Sequence, residues 1–240
     1  MSDLRDIAGL RERLSPNHDA RPVGQPVDIL LLHYTGMPSA RAALDRLVDP
    51  AARVSAHYLI EEDGALWRLV PEDRRAWHAG VSRWAGATDI NARSIGIELV
   101  NPGREFGYRP FPETQMAALE RLATGILGRH PIPAHRVLGH SDVAPLRKED
   151  PGELFEWRRL AARGLGVWPR QRREPPGWSL AEFQAALARF GYGIPQSGAL
   201  DDETLATIVA FQRHFRPALI DGEPDAECAS ILAALLAEIG

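Results

Sequence analysis

The sequence predicts an α/β domain, a mixed central β-sheet flanked by helices, followed by a small domain of three helices. Short apolar runs rich in β-branched residues alternate with long helical patterns over the first two thirds of the chain. Two such runs flank the pair Asp63-Gly64, the strongest short hairpin signal a sequence offers. Beyond residue 177 the strand patterns stop and only helical spacing remains.

In chain order, residues 27–32, apolar apart from Asp28, read as a strand buried on both faces and deliver His33 to its carboxyl end. Residues 39–48 read as a helix with Ala42, Leu44, Leu47 and Val48 on its apolar side. Residues 57–60 and 65–70 are the two arms of the hairpin. A loop containing Trp77, His78, Trp84 and Asn91 leads into SIGIELVN, where Ile95, Ile97 and Leu99 alternate with Ser94, Gly96 and Glu98. Glu98 thus points away from the apolar side chains, and a carboxylate there needs a partner or a wet edge. Met116, Leu119, Leu122, Ile126 and Leu127 set a helix over 112–128, stopped near Gly128 and Pro131. Residues 132–138 form a short strand presenting His140. The arginine-rich stretch 158–173 reads as a solvated helix face and linker, and PRQRREPPG at 169–177 has linker composition. The expected division is therefore 1–168, a linker at 169–177, and 178–240 with helices at 180–190, 202–215 and 225–239. Phe183, Leu187 and Phe190, then Leu205, Ile208, Val209 and Phe211, recur at helical spacing, as in the core of a three-helix bundle.

Bulk properties exclude several classes. The chain has 240 residues, 45% hydrophobic and 25% charged, enough for one medium domain and a small one. A net charge of −4 and an isoelectric point near 6.1 leave no basic footprint for nucleic acid. Cys228 is the single cysteine, which rules out an intramolecular disulfide and any multi-cysteine metal site. No stretch approaches the roughly 18 apolar residues of a membrane helix, and the charged amino terminus lacks the apolar run of a signal peptide. The expectation is a cytoplasmic protein; a chain trimmed of a leader, acting in the envelope, would read the same.

The chemistry concentrates in RVLGHSDVAPLRKEDPG at 136–152, which holds His140, Lys148 and Asp150, and in HYTG, which opens with His33. Two neutral imidazoles and one carboxylate form a three-ligand set that leaves a tetrahedral zinc one open position, as in hydrolytic rather than structural sites. A polar run of this kind is also an ordinary surface loop, and a single histidine is more often structural than a ligand. His57 and His78 compete as ligands; His140 is preferred because its loop also carries Lys148 and Asp150. His18, His130, His135 and His214 read as structural or exposed. If the loop is extended, Lys148 and Asp150 project on one side, placing an ammonium where an oxyanion would develop. Glu98 is the candidate general base.

The motifs HYTG, AHYLI followed by DG, WHAG, SIGIELVN and GHSDVAPLRKEDPG, in that order over residues 28–160, resemble the zinc-dependent N-acetylmuramoyl-L-alanine amidases, which share their fold with peptidoglycan recognition proteins. The resemblance implies zinc ligands His33, His140 and Asp150 and catalytic positions Glu98 and Lys148. It also implies cleavage of the amide between the lactyl group of N-acetylmuramic acid and the L-alanine of the stem peptide. The partners would then be muropeptides, 1,6-anhydro forms among them, in cell-wall recycling or turnover. Tyr34, His57, Trp77, His78, Trp84 and Asn91 are the candidate substrate-binding residues, since aromatic faces stack on sugars and amides; local packing accounts for them equally well. The tail resembles a peptidoglycan-binding helical module through FQAALARFGY, GALDDETLATIVAFQRHF and Asp221-Gly222. The stretch IPQSGALDDET departs from that module's usual DG loop before the second helix, which leaves wall binding and plain packing both open. A non-catalytic recognition protein, or a zinc hydrolase of another amide, are the competing readings. Oligomeric state is not encoded in any of these features.

Overall fold

The computed structural model describes residues 9–169, 171 and 173–239; residues 170 and 172 of the expected linker, the first eight residues and Gly240 lie outside them. Among the described residues a six-stranded sheet runs in the order β1 (Leu10–Glu12), β5 (Leu66–Arg68), β4 (Tyr58–Ile60), β7 (Ser94–Leu99), β3 (Ile29–Tyr34) and β8 (Val137–Gly139). All neighbours are parallel except the β4–β5 hairpin around Asp63-Gly64, so the sheet is mixed. A two-stranded antiparallel ribbon of β2 (His18–Ala20) and β6 (Arg74–Ala76) stands beside it. Both ribbon strands and β1 are three residues long, too short to show a period in the sequence.

The helices are α1 (Ala40–Val48), α2 (Ile90–Arg93), α3 (Gly103–Phe106), α4 (Glu113–Arg129), α5 (His140–Val143) and α6 (Trp157–Ala162), then α7 (Leu180–Phe190), α8 (Asp202–Phe215) and α9 (Ala226–Ile239). Their starts follow local chemistry. Ser39 caps α1 by accepting from the Ala42 N–H, Ser179 and Glu182 form a reciprocal capping box on α7, and Asp201 accepts from the Thr204 N–H of α8. No described helix is long and apolar enough to cross a membrane.

The second hairpin arm, expected over 65–70, is only Leu66–Arg68, and two further boundaries differ from expectation. The first core strand begins at Ile29, because Asp28 turns its carboxylate to the Arg93 and Arg136 guanidiniums, and it runs on through Tyr34. The strand expected over 132–138 is only Val137–Gly139: Pro133 has no N–H to give a ladder, and the chain makes a 3₁₀ turn at Ala134–Arg136.

Strand alternation sorts the core. Leu30, Leu32, Ile95, Ile97, Leu99 and Val137 pack with Met116, Leu119, Leu122 and Ile126 of α4. On the opposite face Ile29, Leu31 and Leu138 pack in one cluster with Phe183, Leu187, Phe190 and Phe211 of the carboxyl-terminal helices. The tail is thus built into the same core as the sheet. A truncated chain ending before residue 178 would uncover Ile29, Leu31, Leu138 and Trp84, at about 1.5–3 kcal/mol for each large side chain. Against a total stability of roughly 5–15 kcal/mol, the truncated chain is expected to unfold at a much lower temperature than the full one. Thermal denaturation of the two checks this; equal midpoints would show that the helices contribute no cover.

Candidate metal centre

Parallel pairing of β3 with β7 sets His33 opposite Glu98 in register, and pairing of β3 with β8 sets Leu32 opposite Gly139, so that His140 emerges beside His33. Both histidines therefore leave the carboxyl ends of adjacent parallel strands, where open α/β sheets place their sites. Asp150 returns to them through its main chain, its carbonyl accepting from the Ser141 N–H at 3.0 Å.

His33 Nδ1 lies 2.9 Å from His140 Nδ1 and 3.1 Å from Asp150 Oδ2, and His140 Nδ1 lies 3.2 Å from the same oxygen. All three residues are buried. His140 Nε2 donates to the Ala79 carbonyl at 3.0 Å, which leaves its Nδ1 a bare lone pair. His33 Nε2 meets His78 Nδ1 at 3.0 Å, and His78 Nε2 in turn reaches Ser94 Oγ at 3.2 Å, whose hydroxyl donates to the Ile90 carbonyl. That chain makes His33 Nε2 a donor and its Nδ1 a second bare lone pair. Two lone pairs and a carboxylate oxygen facing one another repel unless a cation stands among them. Ligand atoms held tetrahedrally at about 2.0–2.2 Å from a metal are about 3.4 Å apart, close to the triangle seen here. The residues fit a divalent metal, each histidine being fixed in tautomer by its second nitrogen.

The electrostatics agree. Burial, and then His140, pull the His33 imidazole down to about 4, against the opposing pull of Asp150. Burial alone would raise Asp150, but the imidazoles of His140 and His33 hold its carboxyl well below the usual range. Glu98 goes the other way: burial first, and the charge of Asp150 second, push it well above the usual carboxylate range, with Lys148 opposing. Its Oε2 is buried with no hydrogen-bond partner.

These groups open on one cavity of about 310 Å³, whose wall includes Tyr34, Met37, Leu47, Trp77, Glu98 and Lys148 together with the three candidate ligands. Lys148 is exposed at the rim. Tyr34 and Trp77 are half-buried; the Tyr34 hydroxyl donates to Glu149 and the Trp77 indole to Asp19.

Three of the expected substrate-binding residues stand elsewhere. Trp84 is 1% exposed and packs edge-on to Tyr192 at 4.9 Å; Gly191, which closes α7 at φ 139°, leaves room for it where a Cβ would lie 2.5 Å from the indole. Asn91 is a brace, its Oδ1 accepting from the N–H groups of His78 and Ala79 at 3.0 and 2.8 Å. His57 is wholly buried, with Nδ1 accepting from the Gly96 N–H and Nε2 donating to the Arg74 carbonyl. His78 touches the cavity, yet its hydrogen bonds place it behind His33; Gly96 is glycine because a Cβ would meet the His78 ring at 2.6 Å. Sequence reasoning passed over Asp142, 1% exposed in α5, which accepts from Gly139, Tyr192 and His214. Its one local sign is its place in the motif GHSD.

The buried histidines should make the metal-free protein acid-sensitive. Burial, and then Arg21, pull His57 from 6.5 to about 3. A folded pKa below the unfolded one gives stabilisation that is complete above pH 6.5 and is lost as pH falls toward 3. Between pH 7 and 5 this group alone should remove about 2 kcal/mol. In urea titrations of metal-free protein, His57→Gln should lose correspondingly less between those two pH values; an unchanged difference would remove His57 as a source.

The N-acetylmuramoyl-L-alanine amidase family model matches residues 23–153, and a peptidoglycan binding domain model matches 178–232. The N-acetylmuramoyl-L-alanine amidase AmiD of Escherichia coli is 38% identical over 249 residues, covering 95% of this chain and 89% of the relative. The 1,6-anhydro-N-acetylmuramyl-L-alanine amidase AmpD of Enterobacter cloacae is 36% identical over 165 residues, 62% of this chain and 86% of the relative. Among solved structures, the complex of the Escherichia coli AmiD with anhydro-N-acetylmuramic acid-L-Ala-D-gamma-Glu-L-Lys superposes with a TM-score of 0.78 at 39% identity, covering 91% of this chain and 92% of that one. AmpDh3 from Pseudomonas aeruginosa with anhydromuramic pentapeptide gives 0.79 at 34% identity, covering 95% and 98%. With its fold, its His-His-Asp cluster and these matches in agreement, the chain belongs to the N-acetylmuramoyl-L-alanine amidase family.

Proposed function

We propose that this protein is a zinc-dependent amidase that hydrolyses the bond between the lactyl group of N-acetylmuramic acid and the L-alanine of the stem peptide. Its substrates are muropeptides, 1,6-anhydro forms included, as in the substrate complexes of its relatives. The catalytic part is 1–168, joined through 169–177 to the helical part 178–240. The observation that carries this reading is the convergence of His33, His140 and Asp150 with Glu98 and Lys148 on a single cavity. A recognition protein without catalysis has no use for a complete ligand set beside a carboxylate with one buried, unpartnered oxygen.

His33, His140 and Asp150 would hold the zinc, offering Nδ1, Nδ1 and Oδ2. When bound, zinc supplies a Lewis acid for the scissile carbonyl and lowers the pKa of water. Glu98 Oε2 takes a proton from the attacking water as its oxygen bonds to the lactyl carbonyl carbon. The same oxygen returns the proton to the alanine nitrogen as the C–N bond breaks, leaving a muramic carboxylic acid and a free peptide amine. Desolvation suits Glu98 to this shuttle, since raising its carboxyl above the usual carboxylate range makes it a stronger proton acceptor than an exposed glutamate. Lys148 presents its ammonium from the rim to the negative oxygen that develops on the carbonyl. Tyr34 and Trp77 give the sugar and peptide flat faces to lie against.

The test is mass spectrometry of an anhydro-muramoyl tripeptide incubated with zinc-loaded and with chelated protein. Free tripeptide and anhydro sugar from the zinc-loaded sample alone is the expected result. An intact substrate with zinc shown to be bound would point to another amide or to binding without turnover.

A further inference from the structure

The carboxyl-terminal helices do more than cover the sheet. Consecutive residues of α8 grip the two segments that carry two of the metal ligands. His214 Nδ1 lies 2.8 Å from Asp142 Oδ2, two residues beyond His140. The Arg213 guanidinium lies 3.7 Å from Glu149, the residue before Asp150, and 3.9 Å from Glu153. From the end of α7, Tyr192 donates its hydroxyl to Asp142 Oδ1 at 2.7 Å. Asp142 in turn accepts from the Gly139 N–H at 2.7 Å, closing the first turn of the helix that His140 opens.

The junction is dry: Asp142, Tyr192 and His214 are 1%, 3% and 3% exposed. The His214 ring is sandwiched between Trp157 at 3.7 Å and Phe215 at 3.9 Å, so it has no freedom to swing. A carboxylate with three donors from three segments, inside a shared apolar core, fixes its backbone closely. That backbone is the one carrying His140.

We propose that His214 and Tyr192, acting through Asp142, are positioning residues that hold His140 in ligand geometry, so that the helical module completes the metal centre rather than serving only to bind the cell wall. This rests on His33, His140 and Asp150 being the zinc ligands. Groups that orient a ligand rather than touching the metal change metal affinity by roughly 10–100-fold when removed.

Three full-length variants test it. His214→Phe keeps a flat ring against Trp157 and deletes the donor; Tyr192→Phe deletes only a hydroxyl; His214→Asn returns an N–H close to the Nδ1 position. The readouts are the zinc dissociation constant by chelator competition, and kcat and KM on the anhydro-muramoyl tripeptide at saturating zinc. Both phenylalanine variants should bind zinc roughly 10–100-fold more weakly and lose kcat with KM unchanged, and His214→Asn should recover most of both. If His214→Phe does not fold, Tyr192→Phe decides. Wild-type zinc affinity in the folded phenylalanine variants overturns the proposal, whatever their thermal midpoints. A wild-type protein that binds zinc but leaves the tripeptide intact overturns the amidase reading instead, while the zinc affinities still decide the role of the module.

Discussion

His140→Ala is expected to release the metal. Apparent zinc binding energies of roughly 10–16 kcal/mol spread over four ligands give roughly 2.5–4 kcal/mol for each, so losing one nitrogen weakens binding by roughly 60-fold to 1,000-fold. The remaining pair, His33 and Asp150, sit 3.1 Å apart and are left to each other. Burial, the first cause holding His33 below its ordinary value, persists without His140, so His33 and Asp150 remain a two-donor fragment of a metal seat. The rise in thermal midpoint that zinc gives the wild type should disappear in the variant. Chelator competition with elemental analysis measures the first effect and denaturation with and without zinc the second. Stoichiometric zinc held at wild-type affinity would take His140 out of the ligand set.

Sequence carried the strand-borne half of this site and left the braces hidden, and the difference is physical. The odd-even alternation of SIGIELVN puts Glu98 on the face away from Ile97 and Leu99, and a continuous apolar run puts His33 at the end of a buried strand; both are local patterns. Lys148 and Asp150 lie two apart in one loop, so their common side was readable too. Trp84 misled because an indole near a WHAG motif looks like a sugar platform, whereas its true partners, Phe190, Gly191 and Tyr192, are about a hundred residues downstream. The pair Asp142 and His214, 72 residues apart, has no local signature at all. His57 and Asn91 took on backbone-bracing roles that depend on where Gly96, His78 and Ala79 pass in the fold. The three helices of the tail were legible from spacing alone, but not that their apolar stripe closes over the sheet, since nothing in a stripe names its partner.

Glu98→Gln should give a protein that binds zinc, is more stable without it, and scarcely turns over. The amide keeps the volume of the carboxylate and removes the group proposed to carry the proton between water and the leaving nitrogen; general acid–base groups contribute typically about 10²–10⁴-fold, and kcat should fall by that factor with KM little changed. Stability moves the opposite way for a reason already in the structure. Burial and the nearby charge of Asp150 raise the folded pKa of Glu98 above its unfolded value. The folded wild type then holds a proton that the unfolded chain releases, so wild-type stability falls as pH rises above the ordinary carboxylate value. In metal-free protein the glutamine variant should match the wild type near pH 4 and exceed it at pH 8, as read by urea unfolding at the two pH values. A variant that is inactive, zinc-bound and more stable at alkaline pH identifies Glu98 as a base kept at the expense of folding energy. An active variant assigns the proton transfer to another group, and a variant destabilised at pH 8 shows that the carboxylate has an attractive partner in the folded protein.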